Sequence, residues 1–210
     1  MLEIIIAWLN FIILNASGFL FTYIYILSVM PVTREEKRGE KAWEECARYR
    51  MISGVLEFVM IANLILWIWF PIPEINWVVH QNFVIGIIIG ICIAIPCLLV
   101  LFKGIKDAGS ETMKPSKKST MYGGIYKYIR HPQTTGEFPL IICFAFTVNS
   151  LFLVLWSAVL VIISAWVIIH YEEQDLVKRF GDTYIEYQKN TGTFIPKFWK
   201  KKKNDQETSS

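Results

Sequence analysis

Two short stretches of this chain carry side chains whose types and spacing could do chemistry. Between Tyr122 and Glu137 lie a Gly-Gly pair, Tyr126, the step Arg130-His131-Pro132, then Thr134 and Gly136-Glu137. Some forty residues later comes His170-Tyr171-Glu172-Glu173. The first stretch can bind an anionic or zwitterionic small molecule. The second offers adjacent carboxylates that can accept an amine, a hydroxyl or a proton. Both stand at the edge of one long apolar run, and charged groups are costly inside a bilayer unless they have a function. These stretches are therefore the candidate site, with Glu172, Glu173 and His170 as candidate catalytic groups.

The elements that hold them are membrane spans. Of 210 residues, 54% are hydrophobic and 15% aromatic, and the apolar ones fall in long uncharged runs, which places the chain among integral membrane proteins. The net charge of +3 is too small to suggest nucleic-acid binding. Ile4 to Met30 reads as a retained spanning helix, Met51 to Phe70 as a second, and Asn82 to Phe102, interrupted by Pro96, as a third. Leu140 to Ile169 is thirty residues without a charge, too long for one span. A turn at Asn149-Ser150 would split it into a hairpin whose first helix starts near Thr134 and is short. The expectation is an all-α integral membrane protein of about five transmembrane helices. Residues 1–102 would form a three-helix membrane region and 103–210 a cofactor-binding catalytic region. Gly181 reads as the end of one helix and Asp182 as the N-cap of the next, giving short amphipathic C-terminal helices.

Charge supplies the orientation. Lys and Arg collect in cytoplasmic segments of membrane proteins. All twenty-one here lie in 34–50, in 103–130 or from Lys178 onward. The N-terminus, the Pro71–Gln81 link and the Asn149-Ser150 turn have none. Five spans, with the N-terminus outside and the C-terminus cytoplasmic, put every basic residue on one side. Four spans would put the basic tail on the wrong one. The candidate site then faces the cytoplasm.

Other features read more plainly. Cys46, Cys92, Cys97 and Cys143 lack metal-ligand spacing and are expected as free thiols, with no metal bound. Gly86 and Gly90 suit close helix contact. Glu57, inside the second span, is either functional or paired with Arg50. The Lys200–Lys203 run suits anionic membrane lipids.

The order of motifs resembles the isoprenylcysteine carboxyl methyltransferase family. The matching residues are Arg130-His131-Pro132, Gly136-Glu137, Glu172-Glu173, Leu176, Phe180-Gly181, Tyr184, Tyr187 and Ile195-Pro196, over roughly the C-terminal half. The wider group includes phospholipid N-methyltransferases and, more distantly, NADPH-dependent sterol reductases. The resemblance implies an S-adenosylmethionine-dependent enzyme with a cytoplasmic donor pocket and a lipophilic acceptor, such as the carboxylate of a prenylated cysteine. On that reading Arg130 and His131 bind the donor's carboxylate, and Glu172 or Glu173 its amine or ribose. Tyr126, Tyr184 and Tyr187 face the sulfonium, and Pro132, Thr134, Gly136, Glu137 and Pro196 complete the pocket. The chain departs from the family twice. Thr134 stands where a tyrosine is usual. No arginine precedes Glu172-Glu173, where many members have one, leaving His170 as the only replacement and the acceptor open.

Overall fold

The computed structural model describes residues 1–118 and 123–197; Tyr122 and the Lys200–Lys203 run lie outside them. The described residues form seven α-helices: α1 Leu2–Ser28, α2 Pro31–Arg38, α3 Lys41–Leu66, α4 Phe83–Ala108, α5 Pro132–Thr147, α6 Leu151–Phe180 and α7 Asp182–Asn190. Four are long and apolar enough to cross a membrane: α1, α3, α4 (with the turn after it) and α6. Their outward faces carry exposed Phe19, Phe58, Leu99 and Trp166, the pattern of helices solvated by lipid rather than water.

The first helix of the hairpin is short, as expected, and starts two residues before Thr134. Helix α5 has 16 residues, about 24 Å at 1.5 Å per residue and short of the roughly 30 Å hydrocarbon core. It begins at Pro132, whose missing N–H costs nothing at a helix start, and it has Pro139 in its interior. It runs antiparallel to α4 over most of that helix's length. A Cβ on Gly86 would lie 2.5 Å from the Phe146 carbonyl oxygen, and one on Gly136 would lie 2.5 Å from that of Cys97. Neither position admits a side chain, so Gly86, expected for close packing, and Gly136, expected in the donor pocket, are what let α4 and α5 touch backbone to backbone.

The Asn149-Ser150 hairpin is present. Asn149 adopts φ +57°, a left-handed conformation that Asn tolerates. Its side chain both accepts from His80 N–H (3.1 Å) and donates to the His80 carbonyl (2.9 Å). Ser150 Oγ accepts from Leu153 N–H and caps α6. The Pro71–Gln81 link and the α5–α6 turn are thereby fastened at one end of the bundle. Beneath them Phe11, Trp67 and Phe152 pack with ring centroids 5.7–6.0 Å apart.

Two helices outrun their apolar runs. Helix α3 starts at Lys41, ten residues before Met51, and α6 continues past Ile169 to Phe180. Charged residues with good helix propensity extend a helix beyond its apolar stretch at little cost. Glu172 and Glu173 thus sit on the last turns of α6 itself. Gly181, at φ +61°, ends α6 as expected, but it also serves as the N-cap of α7; Asp182 is already the first helical residue.

Candidate functional site

At the end of the bundle opposite the Asn149 turn, the C-terminal ends of α1, α4 and α6 meet the N-terminal parts of α3 and α5 around a cavity. Its walls include Tyr25 of α1, Arg50 of α3, Glu111 and Gln133, Tyr126, His131, Pro132 and Thr134, Glu172 and Arg179 of α6, and Tyr184 and Tyr187 of α7.

The segment after α7 folds back beneath the Arg-His-Pro step. Arg130 N–H donates to the Gly192 carbonyl (2.8 Å) and His131 N–H to that of Thr193 (3.2 Å). The Arg130 guanidinium is consumed in this clamp. Its Nε donates to Glu173 Oε1 at 2.7 Å, one terminal nitrogen to the carbonyls of Gln188 and Thr191, and the other to Thr193 Oγ1. Four of its five N–H groups are used, which leaves a single terminal N–H, too few for a bidentate grip on the donor carboxylate expected there.

His131 is 5% exposed and pinned between both acids: Nδ1 is 3.1 Å from Glu172 Oε2, and Nε2 is 3.0 Å from Glu173 Oε1. A neutral imidazole can donate from only one nitrogen, whereas the cation donates from both. Burial opposes the charge, but Glu172 and Glu173 outweigh it and raise the His131 pKa to about 9. His131 is a fixed imidazolium at neutral pH, with neither nitrogen open to a ligand.

The adjacent acids do different jobs. Glu173 accepts from Arg130, His131 and Gln188 Nε2 (2.9 Å) and does not line the cavity. Glu172 does line it, and only its Oε2 is engaged, by His131. Glu172 is the carboxylate presented to a ligand.

The tyrosines form an aromatic wall. Tyr184 and Tyr187 lie 5.6 Å apart, the Tyr187 hydroxyl donates to the Tyr126 carbonyl, and Gln133 Nε2 donates to the Tyr126 hydroxyl at 3.0 Å. Burial pushes the Tyr187 phenol up to about 12 and those of Tyr126 and Tyr184 higher still, so all three stay protonated at neutral pH.

Four expected site residues lie elsewhere. His170 is on the exposed side of α6, bonded to Gln174 Nε2 (2.9 Å) and stacked on Trp166. Two residues along a helix turn a side chain by about 200° from Glu172, so His170 does not reach the cavity. Gly136 packs on α4, Glu137 faces Glu57 across the α3–α5 contact, and Pro196 does not border the cavity. Glu57 is therefore not the partner of Arg50, whose Nη1 donates to the carbonyls of Glu111 and Thr112.

Sequence reasoning missed the contributions of Tyr25, Arg50, Glu111, Gln133 and Arg179. Arg179 and Glu111 form a buried pair at 2.8 Å, each side chain under 10% exposed. Asp175 caps α2 by accepting from Val32 and Thr33 N–H. Among the described residues, no cluster of His, Cys, Asp and Glu suits a metal ion.

The phospholipid methyltransferase family matches residues 83–183, from the start of α4 through Glu172-Glu173 and just into α7. Similar proteins include a methanethiol S-methyltransferase of Pseudomonas deceptionensis, 29% identical over 168 residues, covering 72% of this chain and 59% of the relative. A methanethiol S-methyltransferase 2 of Bradyrhizobium diazoefficiens is 25% identical over 178 residues, covering 72% and 63%. The chain thus spans about three-fifths of the length of the curated relatives it matches. No solved structure matches it significantly. The matched segment contributes His131, Glu172 and Tyr126 to the cavity, while Tyr25 and Arg50 come from outside it.

Proposed function

We propose that this protein is an integral membrane methyltransferase that uses S-adenosylmethionine and acts on an apolar acceptor, with a thiol as the leading class. The observation that carries the reading is Glu172: a carboxylate held rigidly by an imidazolium, with one oxygen facing a cavity walled by tyrosines. That donor set fits the methyl donor. Glu172 Oε1 can take an ammonium or a ribose hydroxyl, and tyrosine faces favour a sulfonium. The donor supplies an electrophilic methyl group on positively charged sulfur.

This chain's residues bind, align and exclude water, and alignment supplies much of the rate in such a displacement. A thiol acceptor has an ordinary pKa of about 8.5 and must lose its proton as the carbon–sulfur bond forms. We assign that proton to solvent: Glu172 Oε1 is taken by the donor, and both His131 nitrogens are engaged. The names of the similar proteins favour a thiol over the carboxylate of a prenylated cysteine. So does the pairing of Arg130 with Glu173 and of Arg179 with Glu111, which offsets both charges within the protein. Phosphatidylethanolamine is the acceptor class suggested by the family description.

The cavity lies at the end of the bundle where the described Lys and Arg residues gather, so we place it at the cytoplasmic face, with membrane lipids around α1, α3, α4 and α6.

Methyl transfer from labelled donor, tested with methanethiol, a farnesylated cysteine and phosphatidylethanolamine, examines the reading. Label in the methanethiol product is expected, with Glu172→Gln weakening donor-product binding about tenfold or more and lowering the label with it. Label in the farnesylcysteine ester alone would replace the thiol by the prenyl acceptor, and NADPH binding without donor binding would replace the methyltransferase by a sterol-type reductase.

A further inference from the structure

Four cations border the cavity, and three are spent on acids of this chain. Arg130 is paired with Glu173, His131 with Glu172 and Glu173, and Arg179 with Glu111. Arg50 has no acidic partner among the described residues. Its Nη1 is held by the carbonyls of Glu111 and, at 2.7 Å, Thr112. Its Nε is buried with no acceptor, and its Nη2 makes no hydrogen bond in the structure. Nε and Nη2 form the lateral edge of a guanidinium, the edge that takes a carboxylate in two parallel bonds. A buried donor without an acceptor is costly, and an unpaired charge in low dielectric more so. The two carbonyls hold the plane of the group fixed and leave that edge open.

Resting on the methyltransferase reading above, we propose that Arg50 binds the carboxylate of the donor's methionine end, while Glu172 takes its ammonium. The amino-acid end of the donor is a zwitterion and requires one fixed charge of each sign in the same cavity. Glu172 Oε1 on α6 and the lateral edge of Arg50 on α3 supply them, whereas Arg179, whose Nε also lacks an acceptor, is already neutralised by Glu111. The Glu172 and Arg50 side chains line this one cavity, together with Tyr25 and Tyr126. Arg50 thereby takes the role that Arg130, bound into its clamp, is not free to fill. It also makes α3, outside the family segment, part of the donor site.

The test compares two ligands differing only in the carboxylate, S-adenosylhomocysteine and its decarboxylated analogue S-adenosyl-3-thiopropylamine, by calorimetry on the full chain in detergent. Wild type is expected to prefer the carboxylate-bearing ligand by about tenfold to a hundredfold, the range of a charge-assisted bond. Arg50→Met is expected to abolish that preference by weakening S-adenosylhomocysteine alone, and Arg50→Lys to keep part of it. Equal weakening of both ligands in Arg50→Met makes Arg50 a structural residue and overturns the proposal. So does the absence of any preference in wild type, a measurement that needs no variant to fold. Binding of neither ligand by wild type overturns the methyltransferase reading itself.

Discussion

Glu172 and Glu173 are neighbours on one helix, and their surroundings give them opposite roles. Glu173 is held by Arg130, His131 and Gln188, so its charge is spent inside the protein. Glu172 shares only His131 and keeps an oxygen for the cavity. His131 is the joint between them, and its raised pKa makes a prediction about stability. A group whose pKa is higher folded than unfolded stabilises the fold fully below its unfolded value and loses that contribution as pH rises through the folded value. With an ordinary value near 6.5 and a folded value of about 9, the loss falls between those limits. Thermal unfolding in detergent is expected to show a falling midpoint from about pH 6.5 to just above 9. His131→Asn, less stable at pH 7, is expected to lack that slope. An unchanged slope in the variant would mean that His131 is neutral in the native state. The Arg-His-Pro step and the acidic pair were legible as a site because their residue types are rare beside a membrane. Their internal pairing was not, because which nitrogen meets which oxygen is set by side chains some forty residues apart.

At the scale of elements, the α4–α5 contact positions His131. Helix α5 starts at Pro132, so any shift of α5 along α4 moves the imidazolium relative to Glu172 and Glu173. Gly136 is the tightest point, with the Cys97 carbonyl and Leu101 backbone both 2.5 Å from where a Cβ would stand. Backbone atoms cannot move aside as a flexible side chain can, so Gly136→Leu is expected to cost on the order of 3 kcal/mol or more and to lower the unfolding midpoint by several degrees. Gly54→Ala, on a helix face where a Cβ meets nothing within 4 Å, is the control. It is expected to be neutral or to raise the midpoint slightly. Equal effects of the two substitutions would contradict the close α4–α5 packing. Hydropathy located α1, α4 and the α5–α6 hairpin, because uncharged runs and an Asn-Ser break are direct signals. It misplaced the start of α3, since Lys41 to Arg50 is helical and charged. That ten-residue extension is what carries Arg50 to the cavity.

Across the whole molecule, one end of the bundle is tied by apolar and amide contacts around Trp77, His80 and Asn149, and the other is rich in paired charges. Single cysteines introduced into a cysteine-free background should distinguish the ends in sealed, right-side-out vesicles. Asn76→Cys is expected to react with a membrane-impermeant maleimide added outside, and Lys114→Cys only after permeabilisation. Reaction of both from outside would contradict the proposed orientation. The gathering of basic residues on one side and the short first helix of the hairpin were both readable from the sequence, whereas the clamp that holds the Arg-His-Pro step at the start of that helix was not, because its partners come from the segment after α7. The claim on which the functional account turns is that the cavity between Glu172 and the tyrosine wall takes a methyl donor. Its most direct test is calorimetric titration of the detergent-purified protein with S-adenosylhomocysteine and, separately, NADPH. Saturable binding of S-adenosylhomocysteine in the micromolar range, with none of NADPH, is predicted; no binding of S-adenosylhomocysteine at millimolar concentration by the folded protein would contradict it.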